Sequence, residues 1–170
     1  MGNSLPILQP VALARLRGAH RFEAFSPKLA RRVTLYRFVA LQQWVILEAS
    51  PSVEAFCENP GFVIIGGQQI LADFRIRYVD RHELVILSET AFEIDALSKT
   101  GGTLDMQGLS IRRIESAELL AARAWIDNWR SMLPCLVANR KLLAPSLSES
   151  IVRLLSEPPS GERADWPLLP

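Results

Sequence analysis

The stretch Ile70-Leu71-Ala72-Asp73-Phe74-Arg75-Ile76-Arg77-Tyr78-Val79-Asp80-Arg81-His82-Glu83-Leu84-Val85-Ile86-Leu87-Ser88-Glu89 decides how the chain is read. Its first half alternates, with Ala72, Phe74, Ile76 and Tyr78 on one side and Asp73, Arg75 and Arg77 on the other. That is the period of a strand. A polar turn follows, and then residues 83–88, apolar on both sides, which suits a strand central in its sheet. Residues facing each other across such a hairpin lie ~5 Å apart, so two acids can meet on one face. A three-residue turn at Asp80–His82 pairs Val79 with Glu83 and sets Asp73 opposite Glu89. A two-residue turn at Asp80–Arg81 sets Asp73 opposite Ser88 instead. Both registers are open to the sequence.

Outward from the hairpin, residues 58–67 (ENPGFVIIGG) form a β-branched run closed by glycines, a further strand. Upstream, Ser26 suits a helix N-cap and Pro27 a first helical position. Leu29, Val33, Tyr36, Val39, Trp44 and Leu47 then recur at helical spacing, which predicts one long helix ending near Glu48. Downstream, residues 89–99 suit a short amphipathic helix stopped by Gly101-Gly102, and residues 109–114 a strand. Residues 116–133 predict a helix with Ser116 as its N-cap, ending before Pro134. The fold class is therefore α/β with a mixed sheet, in the order α-β-β-β-α-β-α. The organisation reads as a basic N-terminal arm (1–25), an α/β domain (26–140), a C-terminal helix (141–157, its core at 146–156) and a Pro-rich tail (158–170).

Of 170 residues, 49% are hydrophobic and 22% charged, enough for a core. No apolar run approaches the ~20 residues that span a bilayer, and no signal-peptide pattern opens the chain. A cytoplasmic, non-membrane protein is the expectation. Cys57 and Cys135 are too few and too far apart for a metal quartet and read as free thiols. His20 and His82 have no second ligand nearby and read as structural. Trp44, Trp125 and Trp129 fall at core spacing. The net charge of +1 hides an uneven distribution: residues 1–40 hold seven basic side chains against one acid, and residues 41–100 nine acids against four bases. A basic region beside an acidic one suits phosphate contact outside a carboxylate site. Lys28, Arg31 and Arg32 are the first candidates for DNA contact. Arg75 and Arg77, on the Asp73 face, are the next, with salt bridges to Glu89 or Asp80 as their plain alternative.

Several short motifs extend the reading. Helix, three-stranded meander, helix and strand is the core order of the PD-(D/E)xK nuclease fold, and the chain resembles the catalytic domain of TnsA-type transposon endonucleases over roughly residues 25–140. Ser50-Pro51-Ser52-Val53 resembles that family's acid-Pro-x-Val step, Asn59-Pro60 its Gln-Pro, and Ala72-Asp73-Phe74 its PDF. The resemblance implies a Mg²⁺-dependent DNA endonuclease subunit that works on DNA ends with a transposase partner, and self-association is a further expectation. It makes Asp73 the metal ligand and Glu89 the second. The sequence also departs from the family. No acid lies near Ala40, where the helix glutamate belongs, and the nearest is Glu48. The third strand reads Leu87-Ser88-Glu89 or Ser88-Glu89-Thr90 where acid-x-lysine belongs, and no lysine follows before Lys99. The catalytic motif is thus incomplete, and a pseudoenzyme that binds DNA or assembles complexes without hydrolysis is the alternative. Glu83 and Glu48 are more distant helpers at most.

Overall fold

The computed structural model describes residues 9–11, 20–88, 104 and 108–140. Glu89, the helix expected over 89–99, the helix expected over 146–156 and the C-terminal tail lie outside the described residues. The elements are β1 (Phe22–Ser26), β2 (Arg31–Leu35), α1 (Phe38–Ala49), β3 (Val53–Ile65), β4 (Gln68–Tyr78), β5 (His82–Leu87), β6 (Leu109–Ile114), α2 (Ser116–Ala121) and α3 (Arg123–Asn139). β1 and β2 form a separate two-stranded ribbon, and the main sheet has the order β3-β4-β5-β6. β3, β4 and β5 are antiparallel neighbours, whereas β6 runs parallel to β5. The fold is mixed α/β, as the alternating and helical periods imply.

The long helix expected from Ser26 is corrected: its first half is the β1–β2 hairpin, and helix begins only at Phe38. Val33 and Leu35 alternate with Arg32 and Thr34, so Val33, read at helical spacing, also satisfies a period of two with Leu35 once the chain reverses. The reversal runs through Pro27 and through Ala30 at φ 53, a left-handed conformation that no helix interior holds. Ser26 does capture an N–H three residues on, that of Leu29 at 3.1 Å, but in a turn rather than at a helix start. β1 also takes residues 22–25, read as arm, into the folded body.

The second helical segment differs too. It breaks at Ala122 into α2 and α3, and α3 continues through Pro134. Glu115, not Ser116, caps α2, through a reciprocal capping box with Glu118.

Two apolar clusters flank the sheet. On the helix side Phe74, Ile76, Val85, Leu87 and Ile114 pack with Val33, Leu35, Trp44, Leu47, Leu119, Ile126 and Leu133. The other cluster contains Val63, Ile70, Ala72, Leu84 and Ile86. Strict alternation would keep Ala72 with Phe74, yet the structure separates them. The register of β3 against β4 shifts between Glu58 and Gly61, with Asn59 at φ 45 and Gly61 at φ 141. This bulge bends the ribbon, so the outer halves of β3 and β4 fold toward the face carrying Leu84 and Ile86. Asp73 sits at the bend.

Candidate functional site

The β4–β5 connection is the four residues Tyr78–Arg81, closed by the Tyr78 N–H donating to the Arg81 carbonyl at 2.9 Å, with Arg77 opposite His82. Neither shorter turn forms. The ladder runs from Arg77↔His82 to Phe74↔Val85, so the next step sets Asp73 level with Ile86. Glu89 is three positions beyond Ile86 in the sequence and lies outside the described residues. The register that would have placed Asp73 directly across from Glu89 is therefore excluded, and the residues beside Asp73 on β5 are apolar.

Asp73 is buried, at 3% exposure, and its carboxylate is engaged at both ends. Oδ2 accepts a hydrogen bond from the Leu87 N–H at 2.7 Å. In a continued ladder that N–H would face the carbonyl of Ala72. The side chain thus takes over a main-chain acceptor's place where the strands part, and keeps a buried N–H satisfied. Oδ1 is held by the Arg37 Nη2 in a salt bridge. Arg37 occupies the N-cap position of α1 in an extended conformation without capping the helix, and its guanidinium reaches back to the sheet. Sequence reasoning counted Arg37 only as part of the basic region; a pairing 36 residues apart leaves no local signal.

A Mg²⁺ ion needs carboxylate oxygens free to face it. Here one Asp73 oxygen faces a guanidinium and the other a main-chain N–H, so the described residues do not fit a metal at this place. Among the described residues no group of three or more His, Cys, Asp or Glu is placed to hold a metal ion. Glu83 stands opposite Ile76, away from Asp73, and its Oε1 is buried without a hydrogen-bond partner.

Glu48 belongs to a different network. Its Oε1 accepts from the Ser26 hydroxyl and from the Trp44 Nε1 at 3.2 Å, and its Oε2 from the Lys28 N–H at 3.2 Å. Burial pushes the Glu48 carboxyl above its ordinary value, against the pull of these donors and of the Lys28 charge. The Lys28 Nζ donates to the carbonyls of Ser50 and of Val53, the latter at 2.7 Å. Burial lowers its pKa. Together these contacts fasten the β1–β2 turn to the end of α1.

The candidate DNA contacts therefore divide. Lys28 is spent on carbonyls. Arg31 makes a two-pronged pair with buried Glu58, both contacts 2.6 Å, and these hydrogen bonds raise its pKa. Arg77 pairs with Glu54 at 3.2 Å on the surface, not with Asp80. Arg32 is exposed, Arg75 is half-buried and Arg113 is exposed, and none of the three forms a salt bridge among the described residues. Burial lowers the Arg75 pKa. On the same face His82 is lowered by burial first, then by the charges of Arg75 and Arg77. Cys57, against Arg75 on β4, is buried and its thiol is pushed up to about 11, so it is no nucleophile at neutral pH.

Comparison with family models, with curated proteins and with solved structures returns no match. No described helix is long and apolar enough to cross a membrane.

Proposed function

We propose that this chain is a TnsA-like, nuclease-fold subunit of a mobile-element transposition system that holds DNA ends and assembles with a transposase, its hydrolytic site given over to structure. The observation that carries the reading is the closed Asp73 site: Arg37 on one oxygen, the Leu87 N–H on the other, and Ile86 across from it. The nuclease-fold part is supported by α1 preceding an antiparallel β3–β4–β5 meander and by β6 lying parallel to β5. That arrangement is compatible with the helix, meander and following strand of the resemblance, whose intervening helix lies outside the described residues. The loss of hydrolysis is supported by charge. A guanidinium supplies the positive charge a metal would bring, but it has no open coordination position at which to activate water. A metal would have to displace it, breaking the salt bridge to a carboxylate that is 3% exposed. The DNA-holding part is supported by Arg32, Arg75 and Arg113, which carry no internal ion pair among the described residues.

The test uses duplex DNA with and without Mg²⁺ over a range of salt. The expected result is salt-sensitive retention with no Mg²⁺-dependent strand breaks, and weaker retention for Arg32→Ala with the fold intact. Mg²⁺-dependent cleavage that disappears in Asp73→Ala would restore Asp73, with Glu89 as second ligand, as an active nuclease centre. Absence of both cleavage and retention would remove DNA from the reading.

A further inference from the structure

β6 ends the main sheet on one side, and among the described residues no strand pairs with its outer edge. Ser110, Ile111, Arg112 and Arg113 are all exposed in the folded chain, so neither face of the strand is covered there. An open edge is a row of main-chain donors and acceptors ready to pair. One strand inward, Glu83 is 8% exposed and its Oε1 has no hydrogen-bond partner. A buried carboxylate oxygen without a donor is costly. Glu83 lies level with Ser110 on β6, and both stand on the helix side of the sheet, the side of Val85 and Ile114. Arg112, on that same side, is turned to Glu118 at 3.0 Å in a surface pair, a kind of contact easily given up.

We infer that two copies of this chain pair β6 to β6, antiparallel and with Ile111 on the two-fold axis, and that Arg112 of each copy reaches over Ser110 to the buried Glu83 of the other. The axis stands normal to the joined sheet and keeps the two helix sides together, so it must pass through a residue. With Ile111 on the axis, Arg112 stands opposite Ser110 and Arg113 opposite Leu109. Arg112 is then two strand spacings from the Glu83 main chain, roughly 10 Å, a gap that an arginine and a glutamate side chain span together. Ser110, the residue between them, is small enough to be crossed. The neighbouring registers fail. With Ser110 on the axis, Arg112 falls opposite Gly108, beyond the strand; with Arg112 on the axis, two guanidiniums meet face to face. A second copy is favoured over a foreign strand because this chain holds both halves of the contact, each on its own element and at matching register. Arginines on an edge ordinarily discourage pairing, but in this register neither faces another. The inference stands on β5 and β6 alone and does not depend on DNA binding.

Sedimentation velocity of the full chain over a concentration series should show a monomer–dimer equilibrium. Glu83→Gln and Arg112→Gln should each weaken the dimer about tenfold or more, and together should cost little beyond either alone. Ile111→Lys sets like charges on the axis and should leave a monomer with an unchanged thermal midpoint. Ile111→Cys, in a Cys135→Ser background, reads the register directly. Opposed residues lie ~4.5–5.5 Å apart, within reach of a disulfide, so oxidation by copper-phenanthroline should link the two copies in high yield. Arg113→Cys in the same background should link poorly. Should Ile111→Lys unfold the chain, the Glu83→Gln and cross-linking results decide. A chain that stays monomeric through the high-micromolar range overturns the inference. A dimer that survives Ile111→Lys uses another face and overturns it too. So does a dimer indifferent to both Glu83→Gln and Arg112→Gln, in which Glu83 takes its donor from water or from Arg112 of its own chain.

Discussion

Asp73 shows how one acid can carry either chemistry or structure, depending on which groups face it. The sequence identifies it as the acid of a hairpin and no more, because its neighbours in space are set by the β4–β5 register and by Arg37, neither of which is local. With the Leu87 N–H on one oxygen and Arg37 on the other, the carboxylate is a structural acceptor whose removal takes the acceptor from a buried N–H and the salt-bridge partner from Arg37. Asp73→Ala should therefore destabilise the fold by about 3–5 kcal/mol, the usual cost of stripping one partner from a buried pair. Asp73→Asn keeps an acceptor for Leu87 but gives up the charge, so it should cost less. Arg37→Met combined with Asp73→Leu should recover part of the loss, with the remaining deficit set by the orphaned Leu87 N–H, about 1–3 kcal/mol. Denaturant unfolding of the three variants and the unaltered chain supplies the comparison. A midpoint that rises in Asp73→Ala would mean an acid held under strain for a ligand, contrary to the structural role.

At the scale of elements, β4, β5 and β6 were legible because their alternation or continuous apolar character has one solution. The segment 26–49 was not. Val33 fits the helical spacing with Leu29 and Tyr36 and equally a two-residue period with Leu35, and the choice is made by tertiary contacts: pairing with Phe22 and Ala24 across the ribbon, and the Ser26–Glu48–Lys28 network that locks the turn to α1. The bulge at Asn59–Gly61 was equally hidden, although the Pro-Gly pair marks the place where a strand can bend. The network also sets a pH dependence. Burial raises the Glu48 carboxyl above its ordinary value of 4.5, so in the interval above that pH the folded chain keeps a proton that the unfolded chain releases. The stabilisation from this group is complete below pH 4.5 and is lost as pH rises through the raised pKa. Glu48→Gln removes the titration. It carries a constant penalty, because the amide offers one acceptor where the carboxylate offers two. Measured from acid toward neutral pH, the stability of the native chain should fall relative to Glu48→Gln, by no more than about 1.4 kcal/mol per pH unit. A difference between the two that stays flat over this range would mean that Glu48 titrates at its ordinary value in the fold.

Over the whole molecule, the concentration of basic residues in the first 40 positions suggested a phosphate-binding surface, and folding redistributes it. Lys28 is spent on the carbonyls of Ser50 and Val53, Arg31 on Glu58, and Arg37 on Asp73. Charge counted along the sequence overstates charge available to a partner, since a cation bound to a buried acid cannot leave without stranding that acid. Arg31 and Arg32 are adjacent in sequence and should therefore behave as opposites if the chain holds DNA. Arg32 points outward from β2 with no salt bridge among the described residues, so Arg32→Ala should lower the slope of log affinity against log salt by about 1 while leaving the unfolding midpoint unchanged. Arg31→Ala uncovers Glu58, which is 3% exposed, and should cost about 1–3 kcal/mol of stability with no change in the salt slope. Filter retention across a salt series and thermal unfolding, applied to both variants, separate the two roles. Equal losses of slope in both would mean that Arg31 releases Glu58 to reach phosphate, and that the pair in the free protein is a latch which DNA opens.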